Sequence, residues 1–189
     1  MEDNVLQNSS PAIKQAWLRI LLLIVAYFVA SLILTIIGGI IMVAVGEFSV
    51  EDFTSVTGNK GSIGFLLFSQ VISLFAAAIS IWIFRKFVDR KSIASLGFEI
   101  KGRSKDIISG FLVGIFLLFM GFLILYLSKQ LKVTGITFNI NDLSTSLIFF
   151  IIVAVVEESI FRGYVLNNLM DWLKNKYVAL LISAIAFAL

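Results

Sequence analysis

The chain has 189 residues, 59% of them hydrophobic, with a net charge of +3 and a mean hydropathy of +1.02. A soluble domain is nearer half apolar, so this composition excludes an ordinary water-soluble fold and predicts an all-α, polytopic bundle of transmembrane helices. The sequence has no cysteine, which excludes disulfides and thiolate chemistry, and no histidine.

Five apolar runs follow one another. Residues 1–16 read as a cytoplasmic N-terminal segment, and 17–189 as one transmembrane domain. The first run, 17–45, is far longer than the apolar part of a signal peptide and has no clean small-residue cleavage site, so it reads as a retained span. Glu47, Glu51 and Asp52 follow, with only Lys60 against them. The second run covers 63–84, with Ala76, Ala77 and Ala78 offering a small face for helix packing. Residues 85–106 are basic: Arg85, Lys86, Arg90, Lys91, Lys101, Arg103 and Lys105. They read as a solvated loop beside anionic lipid rather than a nucleic-acid surface, so no nucleic-acid partner is expected. The third run, 107–128, carries Gly110 and Gly114, a Gly-x-x-x-Gly packing signal. Asn141, Asp142 and Ser144 read as helix N-cap chemistry before the fourth run, 145–168. The fifth run, 177–189, spans only about 20 Å as a helix against a hydrocarbon core of about 30 Å. The sequence is therefore expected to stop before this last span is complete.

The excess of Lys and Arg in 85–106, with Lys14, Arg19, Lys174 and Lys176, predicts a cytoplasmic N-terminus. Lys129 and Lys132 run against this trend. Trp17, Trp82 and Trp172 then fall at the cytoplasmic interface and Tyr126 at the outer one.

The fourth run holds Glu157, Glu158 and Arg162. A charge near the bilayer centre costs about 2.5–3.5 kcal/mol on insertion scales, so function is the default explanation for three. Glu158 and Arg162 stand four apart in the favourable acid-before-base order, which predicts an ion pair, expected to be buried. Adjacent helical residues point about 100° apart, so Glu157 is left without that partner. Counted from Thr145 it lies about 18 Å along the helix, near bilayer mid-depth. A carboxylate there, in reach of a water-filled cavity, suits general acid–base work on water. The alternatives from the residues alone are an ion cluster that only locks helices together, and a proton or ion pathway. Two diverging glutamates do not supply the three protein ligands of a catalytic zinc, so no metal or other cofactor is expected from them.

The run Glu157-Glu158-Ser159-Ile160-Phe161-Arg162-Gly163 resembles the first motif, Glu-Glu-x-x-x-Arg, of the CPBP family: the CAAX-protease and bacteriocin-processing (Abi) intramembrane proteases, Rce1-like. Phe before the Arg and Gly after it also match, and Leu96-Gly97-Phe98 is similar to the family's lead-in. The resemblance implies that Glu157 activates the attacking water and that Glu158 and Arg162 shape the site. It implies a membrane-bound peptidase acting on a peptide or membrane protein, with lipid as its surroundings; zinc enters only through the family's metalloprotease label. The family's second motif, Phe-x-x-x-His, would start at Phe187 and place its histidine two positions past Leu189. These 189 residues alone are therefore expected to be inactive. A non-enzymatic immunity or scaffold protein of the same fold is the alternative, and a proton-coupled transporter a third class. The short N-terminus favours a bacterial cell membrane.

Overall fold

The computed structural model describes residues 10–54, 63–97, 102–135, 138–173 and 175–188. Lys60, Phe98, Lys101, Lys174, Leu189 and residues 1–9, all considered above, lie outside the described residues. The described residues form helices and connections, with no strand among them. In chain order they are α1 (Ala16–Val45), α2 (Val50–Thr54), α3 (Ile63–Ile83), a π-helical segment π1 (Phe84–Asp89), a 3₁₀ turn (Ile93–Leu96), α4 (Ser104–Leu127), α5 (Ile140–Glu157), a second π-helical segment π2 (Glu158–Val165), α6 (Leu166–Trp172) and α7 (Lys176–Ala188). Among the described residues four continuous helices are long and apolar enough to cross a membrane: Ala16–Val45, Ile63–Asp89, Ser104–Leu127 and Ile140–Trp172. The protein is thus an all-α polytopic membrane protein. Lys176–Ala188 is apolar but shorter.

The chain divides into two compact units, Met1–Gly97 with Asn141–Leu189, and Phe98–Ile140. In the first, α1 and α3 run side by side where small residues let them approach. A β-carbon added at Gly38 would meet the Phe68 ring at 3.1 Å, and Ala76 and Ala77 are buried. Tyr27 and Ser73 share a 2.6 Å hydrogen bond across this contact, the kind of interhelical polar bond that substitutes for hydrophobic drive in lipid. α1 ends where Gly46 takes a left-handed φ of 85° and its N–H bonds the Met42 and Val43 carbonyls. Phe48, Phe53, Phe65 and Phe68 pack edge to face at that end. The core, Leu23, Ala77, Ile81, Leu96, Val156, Ile160, Tyr164, Val165, Leu169 and Ala179, joins α1, α3, the 3₁₀ turn, α5, π2, α6 and α7.

In the second unit, α4 is a single apolar helix with Asp106 in its first turn, where the helix dipole favours an acid. Gly110 and Gly114, the Gly-x-x-x-Gly pair, both lie on this helix.

Two expectations change. α5 starts at Ile140, so Asn141 and Asp142 lie inside its first turn instead of capping it. The Asn141 carbonyl accepts from Ser144 Oγ at 3.0 Å and Thr145 Oγ1 at 2.6 Å. Arg85 and Arg19 are not solvated basic residues: both are buried, for the reason given below.

Candidate active site

Glu157 is the last residue of α5, and Glu158 opens π2. In π2 the hydrogen-bond ladder widens to i→i+5: the Leu166 N–H donates to the Phe161 carbonyl. Such widenings are rare and often accompany functional sites. The inner face of π2 is buried through Ser159, Ile160, Gly163, Tyr164 and Val165. Gly163 leaves room for Leu96 of the 3₁₀ turn, which lies 3.9 Å from where a β-carbon would stand.

The outer face opens on a groove of about 170 Å³, lined by Glu157, Glu158, Phe161, Arg162 and Leu166 on one wall and Leu180, Ser183, Ala184 and Phe187 of α7 on the other. Phe161 and Phe187 meet edge to face with ring centroids 5.3 Å apart. Buried Ser183 donates its hydroxyl to the Phe161 carbonyl at 3.3 Å. The floor is therefore apolar and the rim charged.

Glu158 Oε1 and Arg162 Nη1 lie 3.0 Å apart, the i,i+4 pair expected from their spacing. The pair is not buried as expected: the two side chains are 47% and 74% exposed. Other elements cover the inner face of π2, whereas on the outer face α7 flanks the pair from one side and leaves it at the groove rim. The Glu157 carboxylate lines the same groove and has no hydrogen-bond or ion-pair partner among the described residues. Adjacent glutamates thus share one cavity while only Glu158 is engaged.

A catalytic zinc takes about three protein ligands. Among the described residues no three His, Cys, Asp or Glu side chains gather in reach of one ion. The described residues do not by themselves supply the donors of the metal implied by the family label.

Sequence reasoning missed a second charged cluster, behind π2. Asp89, at the end of π1, is fully buried. Its Oδ1 accepts from Arg19 Nη1 at 2.9 Å and from the Tyr164 hydroxyl at 3.4 Å, and its Oδ2 accepts from Arg85 Nη1 at 3.4 Å. Arg85 also donates to the Ser92 carbonyl at 3.4 Å and to the Ser95 hydroxyl. Asn167 Nδ2 donates to the Ser95 carbonyl at 3.0 Å, tying α6 to the same turn. The Nε atoms of Arg19 and Arg85 are buried without a hydrogen-bond partner, so the cluster holds more donors than acceptors. One signal was legible: Arg19 is a charge just inside the edge of the first apolar run, and an ionisable residue within a span calls for a partner.

The described residues thus combine helices long and apolar enough to cross a membrane with two carboxylates and a guanidinium on one groove. Residues 139–189 match the family model described as type II CAAX prenyl endopeptidase Rce1-like. Over this segment, which holds Glu157, Glu158 and Arg162, the chain is similar to that family. No curated protein and no solved structure matches the chain.

Proposed function

We propose that this chain forms the water-activating part of an intramembrane endopeptidase of the CAAX and bacteriocin-processing type. The observation that carries the reading is the placement of unpartnered Glu157 beside the Glu158–Arg162 pair on one groove, within the segment that matches the family. Glu157 takes a proton from water as the water oxygen bonds to the scissile carbonyl carbon. It returns the proton to the amine as the C–N bond breaks. Arg162, held by Glu158, keeps positive charge at the rim where a carbonyl oxygen gains negative charge. The apolar floor suits a membrane-embedded peptide or protein as substrate, approached from surrounding lipid.

The N-terminus faces the cytoplasm in this reading, in a bacterial cell membrane. The Asp89 cluster gathers the start of α1 with the ends of π1 and π2. Trp17, Trp82 and basic Lys86, Arg90 and Lys91 therefore share one membrane face, where a cytoplasmic assignment satisfies the positive-inside rule.

In the full-length protein, expressed in membranes with a membrane-tethered reporter peptide, Glu157→Ala and Glu157→Gln should lower cleavage by about 10²–10⁴-fold at unchanged protein level. Cleavage at the parent rate removes Glu157 as the base. The second reading is a non-enzymatic immunity or scaffold protein of this fold. It predicts no cleavage by the full-length protein, and a membrane partner that co-purifies equally with that protein and its Glu157→Gln variant.

A further inference from the structure

The two π-helical segments, on two different membrane-crossing helices, meet at one buried carboxylate. Asp89 closes π1, and Tyr164 is the penultimate residue of π2. They are joined by the Tyr164–Asp89 hydrogen bond at 3.4 Å, and the Tyr164 ring stands edge-on to Phe84, the first residue of π1, at 6.2 Å. Arg19 of α1 and Arg85 of π1 hold the other lone pairs of the carboxylate. The Ala12 N–H adds a 2.7 Å bond to the Val88 carbonyl of π1. An i→i+5 turn is rarely favoured by itself and persists where its surroundings over-determine it. Here a single cluster supplies those surroundings to both segments.

The widened register also decides which residues of π2 face inward. With Tyr164 pinned, Ser159, Ile160 and Gly163 turn to the core, and Glu157, Glu158 and Arg162 turn to the groove. Relaxed to an ordinary α-helix, the segment would shift its phase by about one residue position. The glutamates would then leave the groove wall.

We propose that Asp89 is a positioning residue: through Tyr164 it holds π2 in the widened register that presents Glu157 and Glu158 to the groove. The word positioning rests on the function proposed above; the register itself does not.

The chain has no cysteine, so single cysteines at positions 157–163 can carry a nitroxide spin label without background. In lipid nanodiscs the parent should show immobile labels at 159, 160 and 163 and mobile labels at 157, 158 and 162. In Asp89→Asn this pattern should move by about one position. Where Asp89→Asn does not accumulate, Tyr164→Phe, which keeps the ring and removes the hydroxyl, should show the same displacement. A pattern unmoved in the variant that accumulates overturns the proposal. So does a uniform rise in mobility at every position, the outcome of a purely stabilising role. Collision of the labels with a water-soluble nickel chelate is read in the same samples. Labels at 157 and 158 that are dry in the parent defeat the hydrolytic reading, while the displacement in the variant still decides the role of Asp89.

Discussion

Asp89→Asn is the sharpest test of how this protein is held together. The side chain is 0% exposed, and its partners Arg19 and Arg85 are 3% and 1% exposed, so no water replaces the lost charge. The substitution keeps the shape and one carbonyl acceptor but leaves two guanidinium groups buried with no counter-charge. Breaking a buried pair by removing one partner costs about 3–5 kcal/mol, and the retained carbonyl puts the expectation near the lower figure. Against a total stability of about 5–15 kcal/mol this is a large fraction. Thermal unfolding in detergent, followed by helical circular dichroism, should show a clear fall in midpoint and a smaller folded fraction in membranes. Adding Arg19→Met should restore part of the loss, because one stranded charge is removed with it. A change within about 0.5 kcal/mol of the parent, the range of an ordinary surface substitution, would refute the claim that these charges are buried and mutually dependent.

Arg162→Ala should cost under about 1 kcal/mol, since its pair with Glu158 is exposed at the groove rim; membrane abundance measured beside the parent checks this, and a loss as large as that of Asp89→Asn means that the groove is dry. Gly38→Val should destabilise the α1–α3 contact by about 1–3 kcal/mol, because even a β-carbon meets Phe68 at 3.1 Å. Tyr27→Phe should remove the 2.6 Å bond to Ser73 and lower stability by about 0.6 kcal/mol, the average for such bonds in lipid, with Ser73→Ala adding little more in a double-mutant cycle.

The helices were legible because apolar runs of this length admit no other structure in lipid. The Glu158–Arg162 pair was legible because four-residue spacing holds in an α-helix and is retained in π2. Its exposure was not, since cover depends on which other elements pack there, and spacing along one helix says nothing of that. The π segments left no mark in the sequence: i→i+5 bonding has no residue pattern of its own and depends on tertiary contacts. Asp89 was hidden by its neighbours. One acid among Arg85, Lys86, Arg90 and Lys91 looks like a solvated loop residue until the start of α1 is known to bring Arg19 against it. Arg19 itself sits close enough to the first run's edge to pass for an interface anchor.

The length of α1 carries a consequence for the surrounding lipid. Its 30 residues make a rod of about 45 Å, against a hydrocarbon core of about 30 Å. Arg19, near one end, is tethered to Asp89 and is not free to slide outward. The surplus must be absorbed by leaning or by local swelling of the bilayer, each at a fraction of a kcal/mol per Å of mismatch. Because the same tether reaches Tyr164, thinner or thicker membranes should press on π2 through α1.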